Sequence, residues 1–207
     1  MTKVKICGIN DAAAFDSVVA AGADYLGFVF FPASPRAVTP GEAAALSARH
    51  VGGPARVGLF VDPDDAAIGA VLAALPLDAL QLHNVDIARA REIRAIFGVP
   101  VWRAIGVAVA SDLPDEIGAD LLMLDAKPPK GATRPGGNAV TFDWGVLAGW
   151  KAPGPWMLAG GLTADNVAEA IRFTGAPVVD ASSAVESAPG VKDPARIRAF
   201  VAAVRSS

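Results

Sequence analysis

Only one cysteine, Cys7, stands in the 207 residues, so no disulfide can close within the chain. Histidine is almost as scarce: His50 and His83 lie far apart, and one Cys with two such His has no zinc-like spacing. No metal is expected from that set, with magnesium held by carboxylates alone left open. A surplus of positive charge is missing too. The 18 basic and 21 acidic residues give a formal charge of −3, which provides no field to hold a nucleic acid backbone or an anionic membrane surface. No apolar run reaches the ~20 residues that cross a bilayer, since those at Tyr25 to Phe31 and Ala66 to Leu77 are bounded by charged residues or proline. The opening MTKVKICGIN lacks the basic segment, apolar stretch and cleavage site of a secretory signal. These absences lead to the expectation of a cytoplasmic protein with a small-molecule partner, no nucleic acid and no membrane.

What is present is core. With 53% apolar and 19% charged residues, the chain can bury one sizeable interior and is too short for two comfortable ones. One domain over residues 1–207 is expected. Short β-like runs alternate with amphipathic or alanine-rich stretches from end to end, which is the pattern of βα units and a parallel sheet. Strands are predicted at Lys3 to Cys7, Asp24 to Phe30, Arg56 to Val61, Ala79 to Leu82, Val101 to Gly106, Asp120 to Leu124, Trp156 to Ala159 and Pro177 to Asp180. Helices are predicted at Ala12 to Ala21, Gly41 to Arg49, Asp64 to Ala74, Asp86 to Phe97, Asp112 to Ile117, Phe142 to Leu147, Ala164 to Phe173 and Pro194 to Val204. Thr163 and Asp193 are the expected N-caps of the last two, the second followed by proline at the first helical position. Eight units in 207 residues leave roughly 26 each, so loops must be short. The exception is KPPKGATRPGGNAVT between Asp125 and Phe142, too long for a minimal βα turn and expected to be a mobile active-site loop. An open doubly wound sheet would also use eight strands, but the first βα turn, CGIND, lacks the dinucleotide-binding glycine pattern. The expected fold is therefore α/β: a single (β/α)8 TIM barrel of the phosphate-binding type.

In such barrels chemistry sits at the C-terminal ends of the strands, so polar residues that close apolar strands are the candidates. Cys7 closes the first strand beside Gly8; it is either a small buried hydrophobe or a base, and as a base its pKa of ~8.5 must fall. Asp125 ends LLML and opens the long loop. Burial there would raise its pKa and make it a general acid; the alternative is an Asp that caps the next turn. Asp62 and Asp180 hold similar rim positions and are read as supporting residues. Arg36, in the proline-bracketed FPASPRAVTP, offers a guanidinium fork for a carboxylate, or is an ordinary loop arginine. LAGGLTADN and VDASSAVE follow the seventh and eighth strands, where barrel phosphates commonly meet glycine-freed N–H groups and a short helix N-terminus. Gly160, Gly161, Ser182 and Ser183 are the phosphate-binding candidates. Gln81 and His83 share one strand face in LQLHN, which face being open, and are possible substrate contacts.

In order, KICGI, GADYLGFVFFPASPR, VGLFVD, LQLH, LDAKPPKGATRPGG, FDW, LAGGL and VDASSAVE make the chain resemble the phosphoribosylanthranilate isomerase family across nearly its whole length. The resemblance implies a cofactor-free Amadori rearrangement of N-(5'-phosphoribosyl)anthranilate to 1-(2-carboxyphenylamino)-1-deoxy-D-ribulose 5-phosphate in tryptophan biosynthesis. It places the catalytic base on Cys7, the catalytic acid on Asp125 and the anthranilate-carboxylate arginine on Arg36. The phosphate glycines match Gly160 and Gly161, and the serine pair matches Ser182 and Ser183. Implied chemistry runs from protonation of the furanose ring oxygen, through a Schiff base, to removal of the C2' proton by a thiolate. Family members are monomeric or dimeric, and a monomer is expected here. Three departures stand out: Asn84 where the family usually has glycine after LH, Asn138 in PGGNAV, and Ala184 in place of a glycine after the serines. Two rivals are a phosphosugar epimerase or thiamin-phosphate-synthase-like transferase, which would want metal or diphosphate ligands, and a silent phosphosugar-binding barrel.

Overall fold

A computed structural model describes residues 1–127 and 141–207 of the chain. Most of the expected active-site loop, with Asn138, lies outside the described residues. Eight parallel strands form a closed barrel in sequence order: β1 (Lys3–Cys7), β2 (Tyr25–Val29), β3 (Ala55–Val61), β4 (Ala79–His83), β5 (Val101–Val107), β6 (Leu121–Ala126), β7 (Trp156–Leu158) and β8 (Val178–Ala181). Pairing of β1 with β8, Lys5 opposite Asp180, closes the ring. The TIM barrel expected from the sequence is thus the fold.

Around it run the helices α1 (Ala12–Ala21), α2 (Pro40–Ser47), α3 (Asp65–Ala74), α4 (Ile87–Phe97), α5 (Val167–Thr174) and α6 (Pro194–Arg205). Their starts are chemically marked. Asp11, Asp64 and Asp86 each accept a backbone N–H from the first turn of α1, α3 and α4, and Asp193 does so for α6 ahead of Pro194. None of the described helices is long and apolar enough to cross a membrane.

Three expectations need correction. The segment predicted as a helix from Asp112 to Ile117 has only a 3-10 turn, Ala110–Asp112. Pro114 holds Leu113 in extended backbone, φ −78° and ψ 129°, and the turn cannot continue. The segment from Phe142 to Leu147 is likewise a 3-10 turn, Trp144–Leu147, in a stretch loosened by Gly145 and Gly149. Thr163 is not an N-cap: α5 begins at Val167, because the Asn166 side chain turns back to accept from the Thr163 N–H and donate to the Gly161 carbonyl. The sequence reading also missed a hairpin, β9 (Glu186–Ala188) and β10 (Val191–Lys192).

Period-two alternation divides each strand between two cores. Val4 and Ile6, Leu80 and Leu82, Leu122 and Leu124 point outward and pack with Phe15, Ile68, Ile93 and Phe200 of the helices. Val57, Trp102, Met123, Met157 and Val178 point inward and fill the lumen, where Tyr25 meets Trp102 edge to face at 5.0 Å. The lower lumen is therefore packed with apolar side chains, and the polar groups gather toward its C-terminal end.

Candidate active site

That top layer is made by the same inward parity. Cys7 follows Lys5 on β1, His83 follows Gln81 on β4, Asp125 follows Met123 on β6, and Asp180 follows Val178 on β8. Their side chains converge at the C-terminal end of the barrel on a cavity of about 480 Å³, open mouth included. Cys7, Arg36, Gln81, His83, Asp125 and Ser182 all line it. The open question about the LQLH face is settled: Gln81 and His83 both point inward, with their Nε2 atoms 2.9 Å apart.

Burial sets the electrostatics. Asp125 is almost buried, and loss of solvent, reinforced by the nearby Asp180 charge, raises its carboxyl from 3.8 to about 7. The Ala126 N–H, 2.8 Å from Asp125 Oδ1, and the Lys5 ammonium oppose that rise without cancelling it. Cys7 has its thiol pushed up by burial, against the pull of Lys5 and Lys192, which is the opposite of the fall expected from the sequence for a base. His83 falls to about 4, chiefly through burial and then through repulsion by Lys5, so its imidazole is neutral at pH 7.

Arg36 reaches the cavity across Gly8. Gly8 has φ +81°, and a methyl group there would meet Arg36 Cδ at 2.5 Å, so glycine is required both by the backbone and by the overlying side chain. The guanidinium is not simply exposed for a ligand. Its Nε and Nη2 hold Glu186 Oε1 and Oε2 at 2.6 and 2.8 Å, and Lys192 Nζ holds the same carboxylate at 2.8 Å. Although burial would raise the Glu186 carboxyl, these cations bring it below its usual range; burial pulls the Lys192 ammonium down. Lys192 also donates to the Ser182 carbonyl at 2.9 Å, and Ser182 Oγ donates to the Cys7 carbonyl at 3.1 Å.

Gly160 and Gly161 both adopt left-handed backbone, φ +85° and +62°. A methyl group on Gly160 would lie 2.6 Å from the Ala126 nitrogen and 3.1 Å from Asp125 Oδ1, so the loop after β7 packs directly on the β6 carboxylate. Among the described residues, no hydrogen bond uses the backbone N–H of Gly160, Gly161 or Ser183. Ser183 opens a 3-10 turn, Ser183–Val185, that includes Ala184. Asp62 stands apart, exposed on a left-handed turn with φ 45°.

Three buried charges around this site escaped the sequence reading: Lys5, Glu186 and Lys192. Lys5 was legible in principle, since inward parity places it directly beneath Cys7. Glu186 and Lys192 were not, because they meet only when ESAPGVK folds back on itself.

The whole chain has close relatives. A family model described as N-(5'phosphoribosyl)anthranilate (PRA) isomerase matches residues 4–203. A Paracoccus denitrificans protein named N-(5'-phosphoribosyl)anthranilate isomerase is 59% identical over 204 residues, covering 96% of this chain and 95% of its own. One of the same name from Granulibacter bethesdensis is 56% identical over 208 residues, with both chains covered in full. Among solved structures, a phosphoribosyl anthranilate isomerase in complex with reduced 1-(o-carboxyphenylamino)-1-deoxyribulose 5-phosphate superposes with a TM-score of 0.86 at 31% identity, both chains covered in full.

Proposed function

Since the chain belongs to the N-(5'-phosphoribosyl)anthranilate isomerase family and is an isomerase of tryptophan biosynthesis, we propose that it works by an Amadori rearrangement with Asp125 as general acid and Cys7 as general base. The substrate on this reading is N-(5'-phosphoribosyl)anthranilate and the product 1-(2-carboxyphenylamino)-1-deoxy-D-ribulose 5-phosphate. The observation that carries it is that the Cys7 thiol and the Asp125 carboxyl line one cavity, with Asp125 raised to about 7.

A carboxyl near pH 7 keeps a useful fraction of its proton at working pH and gives it up readily. Asp125 donates that proton to the furanose ring oxygen as the C1'–O4' bond breaks, and the anthranilate nitrogen becomes an iminium. Its positive charge acidifies the C2' hydrogen. The Cys7 thiolate takes that proton, the C2'–H electron pair forms the C1'–C2' double bond, and an enolamine results. Protonation at C1' and loss of the C2' hydroxyl proton then give the aminoketose. Competent enzyme thus carries one proton between the two groups, on Asp125 rather than on Cys7. The turnover leaves Asp125 as a carboxylate and the C2' proton on sulfur, and passage of one proton from the thiol to the carboxylate resets the site.

Arg36 binds Glu186 through Nε and Nη2, which leaves Nη1 out of that pair, and the residue lines the cavity, where its guanidinium would hold the anthranilate carboxylate. The backbone donors of Gly160, Gly161, Ser182 and Ser183 would hold the phosphate on the far side of the mouth. Gln81 and neutral His83 are left to contact the sugar hydroxyls.

The direct test mixes purified protein with phosphoribosylanthranilate, with and without a chelator, and follows the loss of anthranilate fluorescence. Turnover unaffected by chelator is expected. Cys7→Ala and Asp125→Asn should each lower kcat by orders of magnitude with smaller effects on KM, and near-normal kcat in either would reject its role.

A further inference from the structure

The mechanism above leaves the buried Lys5 without a role. Lys5 is 0% exposed in the lumen, one inward position below Cys7, with its ammonium 2.7 Å from Asp180 Oδ1. Burying an ion pair costs several kcal/mol per ion, and apolar residues of similar size commonly fill such a place without loss of stability. The layer beneath does just that, with Trp102, Met157 and Val178. A purely structural account of Lys5 is therefore weak.

Its position relative to sulfur supplies a better one. A methyl group placed on Gly27 of the neighbouring strand would lie 2.9 Å from Cys7 Sγ and 3.3 Å from Lys5 Nζ. Thiol and ammonium converge on one point, and glycine keeps that point empty. We propose that Lys5 is a positioning residue that favours the thiolate of Cys7 against the burial that disfavours it, with Asp180 anchoring its ammonium beside the sulfur and tempering its charge. This rests on the assignment of Cys7 as the base.

The charges that face the sulfur fit the assignment. From β1 comes Lys5, from β8 Asp180 and from β10 Lys192; across the cavity lie Asp125 on β6 and neutral His83 on β4, while Arg36 and Glu186 are bound to each other. Burial pushes the thiol up; Lys5 is the stronger of the two cations drawing it down, and Asp180 pushes it up. Lys5 itself would be drawn down by burial, but Asp180 and Cys7 outweigh that and its pKa is raised, so it stays charged wherever the enzyme works. Asp125 feels the same pair with the same signs, lowered by Lys5 and raised by Asp180.

Those signs give the test. Because Cys7 is the sole cysteine, ultraviolet thiolate absorbance and the pH dependence of iodoacetamide alkylation read that sulfur alone. In Lys5→Met the Cys7 titration should move up by about 1–3 pH units, the range expected for loss of one opposite charge at close quarters. In Asp180→Asn it should move down. Both limbs of the kcat/KM profile should shift in the same sense as the thiol in each variant. Packing damage alone has no reason to push the two variants in opposite directions. A thiol titration unmoved in Lys5→Met, or moved the same way in both variants, overturns the proposal. If Lys5→Met does not fold, Lys5→Gln, which keeps a polar partner for Asp180 without the charge, decides in its place: an upward shift of the thiol titration supports the role of Lys5 and any other result rejects it. Should Cys7→Ala keep normal turnover, the base assignment fails, while the opposed shifts still report whether Lys5 controls the sulfur.

Discussion

Arg36 and Glu186 meet along a single edge of the guanidinium, Nε to Oε1 and Nη2 to Oε2 at 2.6 and 2.8 Å, with both side chains buried. A carboxylate bound that way stops the guanidinium from rotating and fixes the direction of its remaining N–H groups. Glu186→Gln keeps the shape and one acceptor but removes the charge. Charge-assisted hydrogen bonds contribute about 1.5–3 kcal/mol, so KM should rise roughly ten- to a hundredfold while kcat changes much less. Steady-state kinetics check this. A fall in kcat at unchanged KM would contradict an orienting role.

Activity should follow pH as a bell. Below about pH 7 Asp125 and Cys7 both hold protons, and the productive form, with one proton between them, is scarce. Raising the pH through that value removes the surplus proton and kcat/KM climbs. It falls again on the alkaline side, above the ordinary thiol range, as the last proton leaves the pair. A macroscopic profile belongs to the pair and not to either residue. A kcat/KM already flat from pH 5 to 8 would show that Asp125 is not held near 7.

The same shift has a cost in stability, and its sign follows from proton binding. Native Asp125 takes up its proton near pH 7, whereas the unfolded chain does so near 3.8. A raised carboxyl favours the folded state fully below the unfolded value and loses that contribution as pH rises through the folded one. At pH 8 wild type therefore bears the penalty of a buried charge, bounded at roughly 4 kcal/mol by ~1.36 kcal/mol per unit. Asp125→Asn can still accept the Ala126 N–H and carries no charge. It should be more stable than wild type by a few kcal/mol at pH 8, with the gap closing toward pH 4. Urea unfolding at the two pH values measures it, and equal stability at pH 8 would refute the burial account.

Much of this was readable beforehand, for identifiable reasons. Every strand is a short apolar run set off by Gly, Pro or Asp, so barrel and strand ends were legible to within a residue or two. Parity then carried Cys7, Gln81, His83 and Asp125 into one mouth. Long-range pairing was not legible. Arg36 reads in sequence as a lone fork offered to solvent, yet Glu186, 150 positions later, takes one edge of it. The arms of the β9 and β10 hairpin, three and two residues long, are too short to show a period. Asp180 likewise read as a supporting carboxylate, and only closure of β1 on β8 gives it Lys5.

Asn84 is where the resemblance leads one to expect glycine, and its backbone is left-handed with φ 56°. The departure is mild in physical terms, because asparagine is among the few residues that visit this region at little cost. Asn84→Gly would relieve the remaining strain but give the unfolded chain more freedom to lose, and the two effects oppose. Stability should stay within about 1 kcal/mol of wild type. Asn84→Val has no such escape: a β-branched side chain in this conformation should cost about 1–2 kcal/mol or more. It would also strain the His83 carbonyl, which accepts the Asp62 N–H at 3.0 Å and fixes the end of β4. KM should therefore rise in Asn84→Val and stay level in Asn84→Gly, as paired unfolding and kinetic measurements will read. A valine variant as stable as wild type would mean that the turn after His83 tolerates another backbone, and that the imidazole is not held by it.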